Sequence, residues 1–116
     1  MPILSPFDPI GPLQLRIMNH LWAVNVATVQ QVMDGINGQP GAPTMAYTTF
    51  LTVMRNLAKR RIIDQRRIPG TKRHHFVVLV DADSFKSGLI RQICRDYCNN
   101  DPAVFRRYLA GSPDQA

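Results

Sequence analysis

Between Gly11 and Val24, Leu13, Ile17, Leu21 and Val24 recur at i, i+4, i+8 and i+11, with Met18 and Trp22 beside them. That is the period of an amphipathic helix, and Pro12 suits a first helical turn. The first eleven residues, broken by Pro2, Pro6 and Pro9, read as an extended arm. "VATVQQVMDGING" (Val26–Gly38) starts a second helix. Thr28 is its expected N-cap, Val29, Val32, Met33 and Ile36 its apolar face, and Gly35 and Gly38 mark its end. "GQPGAPT" (Gly38–Thr44) is a loop, and Thr44 is placed to cap the third helix.

That third helix covers "AYTTFLTVMRNLAKRRII" (Ala46–Ile63). At 100° per residue, Tyr47, Phe50, Leu51, Met54, Leu57 and Ala58 share one arc. Thr48, Thr49, Thr52, Arg55, Asn56 and Lys59 share the opposite arc. Then the period changes. "IIDQRRIPG" (Ile62–Gly70) reads as a strand entering a turn at Pro69-Gly70, and "TKRHHFVVLV" (Thr71–Val80) as the returning strand. Arg66, Arg67, Lys72 and Arg73 then lie near the tip of a hairpin. "DADSFKSGLIRQICRDYCNN" is a fourth helix, capped by Asp83 or Ser84, with Phe85, Leu89, Ile93 and Tyr97 on one side. "DPAVFRRYLAG" is a short last helix opened by Pro102. The expected fold is mostly α with a small antiparallel β-hairpin. Residues 1–80 are expected to form one domain and residues 81–116 a short helical tail.

Charge sharpens this picture. The 116 residues carry a net charge of +6. Residues 1–43 hold one base and two acids, and residues 81–116 hold five of each. Residues 44–80 hold eight bases against Asp64 alone. A basic patch so concentrated is the footprint of a nucleic-acid partner, because solvated faces usually mix signs.

Three helices and then a basic hairpin is the order of a winged helix-turn-helix. Its third helix fits the DNA major groove, and small hydroxyls permit close approach to phosphates and base edges. Thr44, Tyr47, Thr48, Thr49, Thr52, Arg55, Lys59, Arg66, Arg67, Lys72 and Arg73 are the candidate DNA contacts. The apolar 45% suits one globular domain, and no apolar run approaches the length of a membrane span. The proline-broken N-terminus lacks the basic n-region of a signal peptide, so a cytoplasmic location is expected and no membrane partner.

Four segments in order resemble the penicillinase repressor family (BlaI/MecI/CopY type). "GPLQLRIMNHLW" is similar to its first helix and "ATVQQV" to the start of its second. "AYTTFLTVM" with Leu57-Ala58-Lys59 after it resembles its recognition helix, and "GTKRHHF" its wing. The resemblance covers residues 11–80. It implies a bacterial homodimeric repressor that binds an operator dyad, with Thr48, Thr49 and Thr52 where the family contacts the groove. Arg55 joins them by periodicity alone. Arg61 stands where the family commonly has glycine, so the end of the third helix is expected to differ. No Asn-Phe bond and no Cys-x-Cys motif occurs, so neither the protease control nor the copper response of family members carries over. A single recognition helix reads too few base pairs to find one genomic site, and dimers supply the second half-site. Phe85, Leu89, Ile93, Tyr97, Phe105 and Leu109 are the candidate dimerisation residues, with Cys94 and Cys98 in or near that interface.

Other chemistries have less to stand on. Cys94 and Cys98, four apart on one helix, could with a histidine (His20, His74 or His75) bind a soft metal or act as a redox switch. Buried thiols are more often small hydrophobes, and no metal or cofactor is expected. A winged helix used only for protein interaction need not keep a basic third helix and wing. RNA binding lacks a run of stacking aromatics. There is no glycine-rich phosphate loop, no acid pair at helical spacing and no G-x-S-x-G motif, so catalysis is not expected and no catalytic residue is assigned.

Overall fold

The structure is a computed structural model and describes residues 7–41 and 44–111; the arm's first six residues and Ala42-Pro43 of the loop lie outside them. Its elements run α1 (Pro12–Val24), β1 (Val26–Ala27), α2 (Val29–Asn37), α3 (Tyr47–Lys59), β2 (Ile63–Arg67), β3 (His74–Val78), α4 (Ala82–Tyr97) and α5 (Pro102–Ala110). The mostly helical architecture with a small antiparallel sheet matches the expectation.

The core is made where the three helical stripes meet. Ile17, Met18 and Leu21 of α1, Val32 and Ile36 of α2, and Phe50, Met54 and Leu57 of α3 are all almost fully buried. Val24, expected on the α1 stripe, is exposed, because the helix ends there in a left-handed Asn25 (φ 69). Thr28 caps α2 as expected. It accepts from Gln31 N–H at 3.1 Å, while Gln31 Oε1 accepts from Thr28 N–H at 2.9 Å. Gly35 does not end α2. It lies inside the helix, where a Cβ would strike the His20 ring, so it lets α1 and α2 approach closely. Asn37 then fastens the turn: its amide donates to Met45 O at 3.0 Å and accepts from Met45 N–H at 3.2 Å.

Two capping expectations are corrected. Ala46, not Thr44, is the N-cap of α3, and no side chain caps it. Asp81, not Asp83 or Ser84, caps α4, accepting from Ser84 N–H at 2.7 Å. Position decides this: only Asp81 stands outside the first turn with extended backbone (φ −70, ψ 167).

The sheet has three strands, not two. Its order is β1-β3-β2, all antiparallel. β3 is central, with Phe76 opposite Ala27 on one side and Gln65 on the other. Phe76 points into the core at 1% exposure. The two residues of β1 thus bind the start of α2 to the hairpin.

Candidate nucleic-acid interface

α3 separates its two faces cleanly. Phe50, Met54 and Leu57 are buried, whereas Thr48, Thr49, Thr52, Arg55 and Lys59 are all exposed. Thr44 is also exposed, just before the helix. Tyr47, assigned by period to the apolar arc, is 45% exposed. With no side-chain cap, the positive end of the helix dipole lies beside the Thr48 and Thr49 hydroxyls.

The hairpin tip is a braced turn. Ile68 O accepts from Thr71 N–H at 3.1 Å and from the Thr71 hydroxyl at 2.9 Å. Thr71 Oγ1 in turn accepts from Arg73 N–H at 3.0 Å. Pro69 and Gly70 (φ 77) occupy the corner, the residue types that a type II turn favours there. Arg66, Arg67, Lys72 and Arg73 are all exposed. Arg66 is partly answered from its own strand, since its Nε lies 3.0 Å from Asp64 Oδ2. Both groups are solvated, so the pair holds little energy and yields readily to another anion. Arg60, by contrast, turns away from this surface and donates to the backbone carbonyls of Asp8 and Pro9.

Between the start of α2, the exposed side of α3 and the sheet lies a cleft of about 250 Å³. Arg55, Lys72 and Arg73 all line it, together with Thr28, Gln30 and Tyr47, and no acidic residue does. The structure therefore places Arg55 in one cleft with the wing cations Lys72 and Arg73. Thr28, Gln30, Gln65 and His74 are wall residues that sequence reasoning does not assign to the site. What brings Thr28 and Gln30 there is the Ala27–Phe76 pairing, a tertiary contact with no local period.

The second group of candidates divides. Phe85 is 2% exposed and belongs to the core: its ring lies 5.6 Å from Trp22, whose Nε1 donates to Val80 O at 2.9 Å. Leu89 is half-buried against the same core. Beyond it only Cys94 and Cys98 are buried among the described residues. Tyr97, Tyr108 and Leu109 are 81%, 69% and 71% exposed, and α5 contains no buried residue. Ile93, Tyr97, Cys98, Phe105 and Tyr108 line an apolar groove of about 350 Å³ between α4 and α5. Cys94 and Cys98 are buried free thiols, and burial pushes the Cys98 thiol pKa up. Among the described residues no group of three or more His, Cys, Asp or Glu side chains could hold a metal ion.

The sequence model of the penicillinase repressor family matches residues 10–112. The chain belongs to the penicillinase repressor family. The match extends past the wing through α4 and α5, so the helical arm belongs to the family's pattern along with the winged helix. Over 88 residues the chain is 30% identical to proteins described as transcriptional regulator BlaI in two strains of Mycobacterium tuberculosis. The aligned stretch is 75% of this chain and 60% of those relatives. Membership in this regulator family accounts for the winged order of elements. Arg61, just after α3 where the resemblance implied a glycine, takes up a left-handed angle itself, at φ 64. Among the described residues no helix is long and apolar enough to cross a membrane.

Proposed function

We propose that this penicillinase repressor family member is a sequence-specific DNA-binding transcriptional repressor that occupies an operator dyad as a homodimer in the bacterial cytoplasm. The observation that carries the reading is the shared exposure of two unlike surfaces. One is the hydroxyl face of α3 (Thr48, Thr49, Thr52), suited to base edges. The other is the cleft, whose lining holds no acid, with the wing cations beside it (Arg55, Lys72, Arg73, Arg67), suited to phosphates. The dimer is supported by the apolar residues left open on α4 and α5. That arm would bring two recognition helices to successive turns of duplex, about 10 base pairs apart. The description of the relatives as transcriptional regulators supports the same role.

The test is titration of the full chain with random-sequence duplex and with its own upstream DNA across a salt series. If each dimer meets roughly six to ten phosphates, affinity falls about a thousandfold or more between about 50 and 200 mM salt. A binding constant flat with salt overturns the reading. A cysteine-based metal or redox response has weaker support, because burial disfavours the Cys98 thiolate that either chemistry needs.

A further inference from the structure

A glycine in the middle of an exposed helix costs about 1 kcal/mol against alanine. α4 contains one, Gly88, at its second turn. The reason lies across from it. A Cβ on Gly88 would overlap the ring of Phe7, from the segment before α1. The next residue continues the contact in two directions. The Asp8 backbone carbonyl accepts from the Arg60 guanidinium at the C-cap of α3. The Asp8 carboxylate accepts from the Gln92 side-chain amide, one turn beyond Gly88 on α4. Pro9 O accepts a second, longer bond from Arg60 at 3.5 Å. Residues 7–9 thus form a strap joining the end of the recognition helix to the middle of the arm helix.

α4 has a first anchor at Phe85, packed on Trp22, where Lys86 also lies over the indole at 5.6 Å. Leu89, one turn further on, is half-buried against the same core, so Phe85 and Leu89 hold one stripe of α4. The strap grips Gly88 and Gln92, a second stripe of the same helix, and adds a hold from the side of α3. Past Gln92 the exposed residues of α4 and α5 take over.

We infer that Asp8 is a positioning residue that, with Phe7 on Gly88, sets the direction of α4 relative to α3 and so the half-site spacing the dimer accepts. This rests on the proposed homodimer for its consequence in DNA, but not for the joint itself. The Gln92 bond needs only an acceptor oxygen, so Asp8→Asn retains it while giving up the charge attraction to Arg60, and Asp8→Ala loses both. Gly88→Ala displaces Phe7 while raising the helix propensity of α4, so any loosening it causes is not helix unfolding.

Two measurements on the full chain test it. Residual dipolar couplings read the joint without DNA. In the native chain and in Asp8→Asn, the couplings of α3 and α4 fit one alignment tensor. In Asp8→Ala and Gly88→Ala, those of α4 fit a tensor of reduced magnitude while helix content by circular dichroism holds. A common tensor in both variants, or separate tensors in the native chain, overturns the inference. Selection from a random duplex pool reads the consequence. The native chain enriches dyads of one spacing. The two loosened variants enrich the same half-site with a spread of spacings, and Asp8→Asn restores the single one. Unchanged single spacing in both loosened variants overturns the specificity role. A native chain that enriches no dyad overturns the homodimer reading instead, and the couplings still decide the joint.

Discussion

Arg61 holds a backbone angle (φ 64) that an L-residue with a side chain occupies at a cost of about 1–2 kcal/mol. Its amide bonds to Ala58 O at 3.0 Å, closing the end of α3, so the conformation is fixed by the helix it terminates. Arg61→Gly is therefore expected to raise stability by about 1 kcal/mol, read as a higher denaturation midpoint at unchanged m-value. An unchanged or lower midpoint would show that the Arg61 side chain contributes more than the angle costs. Asp81 gives a residue-scale prediction in pH. The backbone hydrogen bond from Ser84 holds its carboxyl pKa below the usual value. A depressed folded pKa adds stability above the unfolded value of about 3.9, and that contribution is lost as pH falls through the folded value. Asp81→Ala should thus destabilise the chain at neutral pH, with the difference from native shrinking below about pH 4. A difference constant down to about pH 2 would exclude the charged cap as its source.

At the scale of elements, the proposed DNA complex divides its contacts between α3 and the wing. Thr49 and Thr52 lie on the exposed side of a helix whose other side is locked by Phe50, Met54 and Leu57. Their substitution by alanine should leave the fold intact. It should cost preference for operator over random duplex, within the roughly 1–3 kcal/mol that a base-specific contact contributes. Arg55 belongs with Lys72 and Arg73 in the cleft. Arg55→Ala, like Arg67→Ala or Lys72→Ala, should weaken binding to operator and random duplex alike and reduce the salt slope by about one. Competition binding with both duplexes at two salt concentrations separates the groups. If Arg55→Ala alters sequence preference and Thr52→Ala does not, the assignment is inverted.

Taken as a whole the molecule is elongated. The radius of gyration is 17.1 Å, against about 13 Å for a compact domain of this length. The arm of α4 and α5 accounts for this, since α5 buries no residue of its own. An arm with Tyr97, Tyr108 and Leu109 exposed is suited to self-association through an apolar centre. Tyr97→Asp with Leu109→Asp should give a monomer at micromolar concentration by sedimentation, with a folded winged helix and much weaker operator binding. A double variant that still sediments as a dimer would place the interface elsewhere. Cutting the chain at Val80 would be a poorer experiment, because it also removes Phe85 from the core.

The helices, the hairpin and the basic stretch are legible in the amino-acid order alone, because each is written in local periods and charge runs. α1 and the Pro69-Gly70 turn fall where their apolar spacing and turn residues put them, and α3 does so as far as Lys59, short of the Ile63 expected for it because Ile63 opens β2. The threonine face of α3 is legible for the same reason: a helix period assigns sides without knowledge of the partner. Contacts between residues distant along the chain have no such local signature and emerge only on folding. β1 is two residues long and exists because β3 needs a neighbour, so no local pattern announces Val26-Ala27 as a strand. That pairing, in turn, carries Thr28 and Gln30 to the cleft that Arg55 shares with the wing. Phe85 reads as one more residue of an arm stripe, yet packing against Trp22 claims it for the core. Gly88 and Asp8 are the clearest case. They stand 80 positions apart, each ordinary in its own segment, and their meaning appears only where the segment before α1 crosses α4.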